Sequence, residues 1–383
     1  MITKKTSSNF GLGQAPIYRS IRLIKHIDYT LLFAILCLCS FGLLVIYSTT
    51  HVEVMDVGSL SYVKRQLIFI IAGILLCFLV AIIDYHEIEK VAVPLYLLTI
   101  ISLAYVIIFG RTTGGARRWI EIAGFDFQPS EFAKIALICF LAYFLSRQKD
   151  KFSYALYFGL PFILTGIPML MIFRQPDLGS SMVFLAILLC MIFVAGFKWK
   201  HIIIMFLVSL ASFPLLWLLL KEYQKNRLIL FINPSLDPLG AGYNVIQSKV
   251  AIGSGGLFGQ GLFSGIQSQL KFLPAQHTDF VFSVIGEEMG FFGAVILLLL
   301  YIFVLWKGIK IAQEAPDFLG TFLATGVLAF LFFHIFINIG MAMGLMPATG
   351  LPLSFISYGG TFMISNFIGI GILFSVHLRS IFV

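Results

Sequence analysis

The stretch HTDFVFSVIGEEMGFF, residues 277–292, sets three carboxylates, Asp279, Glu287 and Glu288, at the opening of a long apolar run. A carboxylate at a water–lipid boundary can serve as a general base, because partial burial raises its pKa toward the operating range. A helix cap is the plainer reading of Asp279. Glu287 and Glu288 weaken that reading. They fall two turns deeper, where a carboxylate is costly unless it is paired or faces a cavity, and a cap needs no such companions. From the pattern alone, both readings stay open.

Other residues could support such chemistry. Glu131 and Lys134 are three apart, share a helix face and can pair. A Glu is welcome near a helix N-terminus for its charge alone, whereas an ammonium one turn into a span needs a partner. Asp177, after Pro176 in RQPDLGSS, reads first as an N-cap. GGARRWIEI places Arg117, Arg118 and Trp119 after flexible glycines. Guanidinium forks match phosphate geometry, so a pyrophosphate clamp is one reading. An interfacial Trp anchor with Arg partners for lipid phosphates is the other. The Gly-rich segment GAGYNVIQSKVAIGSGGLFGQGLFSGIQSQLKFLP fits neither the P-loop pattern nor a strand-borne G-x-G-x-x-G. Its apolar residues point to amphipathic segments lying on a membrane surface.

The elements that must position these residues are membrane spans. The chain is 383 residues, 59% hydrophobic and 11% charged, with mean hydropathy +0.98. No soluble domain of this size hides that much apolar surface; lipid is its natural solvent. The net charge of +8 comes without a basic, aromatic-interleaved patch. It fits anionic lipid at membrane ends and no nucleic-acid partner. The five Cys all lie inside apolar runs, which argues against disulfides and a metal site. Ten runs are long enough to span: about 29–48, 66–83, 91–109, 131–146, 155–173, 179–197, 201–220, 281–306, 318–343 and 361–378. The expectation is an all-α polytopic membrane protein of about ten transmembrane helices. A cytoplasmic segment 1–28 leads into a single integral membrane domain, 29–378, and 379–383 form a cytoplasmic C-terminus. The first span reads as uncleaved. The short loops SRQKDK, FKWK and KGIK are compact and basic, which places both termini inside. The irregular stretches 111–131, 173–181, 221–280 and 345–361 then converge on the outer face. Such backbone is tolerated at membrane depth only where it is buried in protein or lines a wet cavity.

QPDLGSS, YNVIQSKVAIGSGGLFGQG, QSQLKFLPAQHTDFVFSVIGEEMGFFGA and GLPLSFISYGGT strongly resemble the SEDS family of shape, elongation, division and sporulation proteins. DPLGAGYNVIQSKVAIGSGG is more similar to its RodA-like elongation branch than to the FtsW-like division branch. The resemblance runs from the first span to the tenth. It implies a peptidoglycan glycosyltransferase of the bacterial inner membrane that polymerises lipid II on the outer face. Membrane lipids, a class B penicillin-binding protein supplying the transpeptidase and other elongation-machinery proteins are the implied partners. The family's essential aspartate matches Asp279; its outer-loop Trp matches Trp119, its Glu/Lys pair Glu131 and Lys134, its QPDLG aspartate Asp177, and its basic residue after the seventh span Arg227. Ser354 stands where the family usually has Pro, a change expected to alter loop stiffness and not chemistry.

On this reading Asp279 deprotonates the acceptor sugar hydroxyl. Arg117, Arg118, Lys134 and Arg227 meet the pyrophosphate charge, Glu131 positions Lys134, and Trp119 stacks on a sugar or supports its loop. Asp177, Lys249 and His277 complete the expected substrate-binding set. A divalent cation, Mg or Mn, suits a pyrophosphate, although no ligand cluster in the sequence demands one. Two other readings use the same residues: a lipid II flippase, against which stands the absence of an internal repeat, and a scaffold that only recruits a transpeptidase.

Overall fold

The computed structural model describes residues 26–51, 59–113, 116–122, 125–148, 155–196 and 242–381, with a few positions between 217 and 237. Its helices are α1 (Tyr29–His51), α2 (Ser59–Ile82), α3 (Ile88–Phe109), α4 (Pro129–Gln148), α5 (Ala155–Arg174), α6 (Leu178–Val194), α7 (Tyr243–Ser254), α8 (Ile266–Gln269), α9 (Val281–Gln313), α10 (Phe318–Ala342) and α11 (Gly360–Ser380). Among the described residues, seven helices are long and apolar enough to cross a membrane, and two shorter apolar ones cover Gly159–Arg174 and Leu178–Val194. Nine of the ten expected runs are thus helical, while 201–220 falls almost wholly outside the described residues. The chain is a multi-pass membrane protein.

The helices divide by what surrounds them. In the spans of α4, α10 and α11, 78%, 72% and 83% of the most apolar window is buried, against 28% for α2, α3 and α9. The first three form the centre. The outer ones present residues such as Leu98, Ile101 and Ile302 outward, where lipid covers them at no cost. Asp28 starts α1: its Oδ1 accepts from Thr30 N at 3.1 Å and Leu31 N at 3.2 Å, and its Oδ2 from Lys307 Nζ at 2.7 Å, which ties α1 to α9. Burial pulls this carboxyl up, but Lys307, Thr30 and the Leu31 amide outweigh it and hold it at about 2.

In the stretch read from sequence as irregular, three segments form an antiparallel sheet: β1 (Arg111–Thr113), β2 (Ala116–Ile122) and β3 (Phe125–Phe127), with β2 in the middle. The period-two pattern of RRWIEI is the strand signal that was available.

The Gly-rich run holds a broken helix. Within α9, Gly290 takes φ 66° and ψ −160°, which interrupts the helical ladder. The segment 256–261 enters the break. Gln260 N donates to Glu287 O at 2.9 Å and Gly261 N to Glu288 O at 3.0 Å, while Phe291 N donates to Gly256 O at 2.9 Å and Phe292 N to Leu257 O at 3.2 Å. Each of these backbone groups at the break finds a partner, as a membrane helix requires. A Cβ at Gly259 would sit 2.1 Å from Glu288 O, and one at Gly290 2.3 Å from Gly259 N. Only glycine allows this approach. Gly259→Ala is therefore expected to cost about 1–3 kcal/mol or more and to lower the thermal midpoint of detergent-solubilised protein. An unchanged midpoint would show that the crossing does not hold the break.

Glu287 and Glu288 serve the same region. Glu287 accepts from Gln267 N at 2.6 Å and Ser268 N at 3.0 Å, which fixes α8. Glu288 accepts from Ser48 Oγ at 2.5 Å, which fastens α9 to α1.

Candidate active site

Asp279 lies just before α9 and is half-buried. The N-cap position of α9 falls on Phe280, which makes no side-chain cap bond. The carbonyls of the three residues 277–279 are each held. Tyr358 N donates to His277 O at 2.9 Å, Ser357 Oγ to Thr278 O at 2.5 Å and Asn338 Nδ2 to Asp279 O at 2.7 Å. Asn338 Nδ2 also donates to Leu351 O at 2.7 Å, so one amide fastens both the Asp279 segment and the 345–359 loop. That loop is held further by Tyr301 OH, which donates to Ser354 O at 2.6 Å, and by Gln66 Nε2, which donates to Ser357 O at 3.2 Å. Ser354, the expected departure, is fully buried and serves through its carbonyl.

The carboxylate of Asp279 faces Gly350: a Cβ there would lie 3.3 Å from Oδ2, and Gly350 has φ +75°. On the other side of this turn stands the start of α6. A Cβ at Gly179 would lie 3.0 Å from Thr349 O. Asp177 caps α6, as its sequence position indicates, with Oδ1 accepting from Ser180 N at 3.0 Å. It also pairs with Arg118, 3.5 Å from NH1 to Oδ2. Arg118 further donates to Gln175 O at 3.2 Å and to Pro176 O, so its guanidinium is anchored on the QPDLG turn.

Beneath this layer lies a buried polar chain. Lys134 Nζ donates to Glu131 Oε1 at 2.8 Å and to His334 Nε2 at 3.1 Å. His334 Nδ1 lies 3.1 Å from Pro352 O. A carbonyl only accepts, so Nδ1 carries the proton and Nε2 accepts from the ammonium. Phe330 and Phe362 flank Nζ at 5.4 and 5.8 Å, a favourable setting for a cation. The chain Glu131–Lys134–His334–Pro352 thus connects α4 and α10 to the loop beside Asp279.

The expected set is divided by this geometry. Asp279 meets the 349–352 turn at Gly350, the start of α6 behind the Arg118–Asp177 pair meets it at Thr349, and the Glu131–Lys134 pair reaches it through His334 at Pro352. Lys134 is completely buried and is held between Glu131 and His334. Arg117 alternates to the other face of β2 from Arg118. It is exposed and donates to Thr112 Oγ1 and Ile108 O, each at 3.4 Å, so the two arginines have different partners. Trp119 follows on Arg117's face, opposite Arg111 in the register. Lys249, on α7, extends along Gly344, where a Cβ would meet its Cε at 2.0 Å. His277 lies against Tyr62, with centroids 5.5 Å apart. Arg227 lies outside the described residues. Among the described residues, no group of three or more His, Cys, Asp or Glu could hold a metal ion, so they do not fit a protein-caged cation. Asn338, His334 and Ser357 were missed from sequence. His334 and Asn338, four apart in FHIFINIG, carried a usable signal: polar side chains on one face of a span.

The sequence model of the cell cycle proteins FtsW, RodA and SpoVE matches residues 29–380. The chain belongs to the FtsW/RodA/SpoVE family. Among the family's members, peptidoglycan glycosyltransferase MrdB of Escherichia coli K12 is 40% identical over 353 residues, covering 92% of this chain and 94% of that protein. Stage V sporulation protein E of Bacillus subtilis is 38% identical over 356 residues, covering 91% and 96%. The fold is shared as well. A chain from a peptidoglycan synthase complex, solved in work on the coordination of polymerization and crosslinking, superposes with TM-score 0.80 at 31% identity, covering 92% of this chain and 98% of that one. The rod shape determining protein RodA of Thermus thermophilus gives 0.69 at 29% identity, covering 92% and 96%.

Proposed function

We propose that this chain is a peptidoglycan glycosyltransferase that polymerises lipid II on the outer face of the bacterial inner membrane, for cell elongation. The observation that carries the reading is Asp279. It is a half-buried carboxylate whose backbone carbonyl, with those of His277 and Thr278, is locked in place. It stands at the turn whose other side meets Gly179, two residues beyond the Asp177 that pairs with Arg118.

The acceptor hydroxyl is a poor nucleophile until its proton moves to the Asp279 carboxylate. Its oxygen then bonds to the donor's anomeric carbon, the bond from that carbon to the lipid pyrophosphate breaks, and the electron pair leaves with the pyrophosphate. Arg118, a planar fork already anchored on two carbonyls, is the residue placed to meet that growing charge. Glu131, Lys134 and His334 hold the turn from below. On this reading a single integral membrane domain has both termini cytoplasmic and the site outside, an orientation that the basic short loops support. A class B penicillin-binding protein, with other elongation-machinery proteins, is the partner that would crosslink the product. The basic test is purified protein with that partner, given lipid II: glycan strands are expected, and their absence sinks the reading.

Asn338→Leu keeps much of the side chain's bulk but releases Asp279 O and Leu351 O. A misplacement of about 1 Å costs about 10²-fold in rate. Turnover is expected to fall by that order with lipid II binding retained. A variant with normal turnover would show that Asp279 is positioned by something else.

A further inference from the structure

Asn338 holds the Asp279 segment from α10, and a second helix reaches the same segment. Gln66 lies near the start of α2 and is 1% exposed, although its neighbours Leu67 and Ile68 face outward at 45% and 57%. A buried amide at the end of a span needs partners for both its polar atoms. Both are found on one turn. Nε2 donates to Ser357 O at 3.2 Å, and Oε1 accepts from Gly359 N at 3.3 Å. The residue bracketed by these two bonds is Tyr358, whose N donates to His277 O at 2.9 Å. Ser357 donates from Oγ to Thr278 O at 2.5 Å. Two of the three carbonyls that fix the entry to Asp279 are therefore bound by the turn that Gln66 holds.

The rest of this face of α2 leaves the turn little play. Tyr62, four residues before Gln66 and so on the same face, meets the Tyr358 ring edge-on with centroids 5.2 Å apart. Arg65 hydrogen-bonds the Tyr358 side chain. Further along, α2 and α11 interlock. A Cβ at Gly360 would lie 2.4 Å from Phe69 Cζ, and one at Gly73 2.3 Å from Phe367 Cδ2. Small residues that admit a neighbour this closely set the register of two membrane helices.

We infer that Gln66 is a positioning residue for the glycosyl transfer: it sets the 357–359 turn, and the turn sets where Asp279 stands. The inference rests on the polymerase reading above and brings α2 into the machinery that Asn338 serves from α10.

The test is polymerisation of lipid II by the purified complex with its transpeptidase partner, comparing wild type, Gln66→Met and Gln66→Asn. Gln66→Met keeps the bulk and releases Ser357 O and Gly359 N. Gln66→Asn keeps an amide but draws it back by one methylene, so it reads the same loss should Gln66→Met not fold. In both, the maximal rate is expected to fall about tenfold or more, toward the roughly 10²-fold that a misplacement of about 1 Å costs, with the half-saturating lipid II concentration within about twofold of wild type. Rates are taken per lipid II-binding protein in nanodiscs, which removes any loss from unfolding. Adding Gln66→Met to Asn338→Leu should cost less than the product of the two single effects, because both release the same segment. Wild-type rates in both variants, a loss confined to the thermal midpoint, or a fully multiplicative double variant would overturn the inference and leave the polymerase reading intact. A wild-type complex that makes no polymer would overturn that reading, and this inference with it.

Discussion

Lys134→Met is expected to destabilise the protein by about 3–5 kcal/mol, the usual consequence of removing one partner of a buried ion pair. The reason lies in what remains. Glu131 is 2% exposed, and its Oε2 already lacks a hydrogen-bond partner. Without the ammonium, Oε1 loses its donor at 2.8 Å and His334 Nε2 its donor at 3.1 Å. An ionised carboxylate would be left uncompensated in the centre of the bundle. The thermal midpoint in detergent, or the yield of monodisperse protein, should fall sharply. The double variant Glu131→Leu/Lys134→Met replaces the pair with apolar side chains, an exchange that is often neutral or stabilising. Its midpoint is expected to recover most of the loss, and such non-additivity is the mark of two residues acting as a unit. If Lys134→Met melted with the wild type, the chain from Glu131 to Pro352 would not be holding the turn. If the double variant folded but made no polymer, the pair would serve the chemistry as well as the fold.

How far the sequence exposes this arrangement varies with the physics of each element. Spans are legible because burial in lipid demands an unbroken apolar run, and nine of the ten runs are helical. Asp177 as a cap is equally local: the side chain reaches a backbone amide three residues on. The contact that Asp279 makes is one that sequence does not carry. The chain enters α9 through Phe280, and Asp279 turns toward Gly350, seventy-one residues later. The Gly-rich run fits no nucleotide pattern because its glycines answer a backbone crossing with α9. A crossing between segments about thirty residues apart leaves no periodic trace. Arg117 and Arg118 look like a pair until the strand's alternation sends them to opposite faces. Asn338 and His334 were visible as polar residues in an apolar span, but their targets, Asp279 O and Pro352 O, are backbone atoms that no side-chain pattern announces.

The second large effect concerns Asp279 itself. Asp279→Asn keeps the shape and the backbone carbonyl that Asn338 holds, and it removes the charge that takes the proton. A positioned general base contributes typically about 10²–10⁴-fold, so polymerisation should fall by that order. The Arg118–Asp177 contacts do not involve the altered atoms. Binding of lipid II and the thermal midpoint should therefore stay near the wild-type values, which separates this variant from Lys134→Met.

Labelled lipid II, incubated with the purified complex carrying either Asp279 or Asn at that position, measures the central claim in one assay. A ladder of glycan strands from the wild type and none from the variant, at equal lipid II binding, is the predicted result. An undiminished ladder from Asp279→Asn would contradict it and move the proton transfer to another residue.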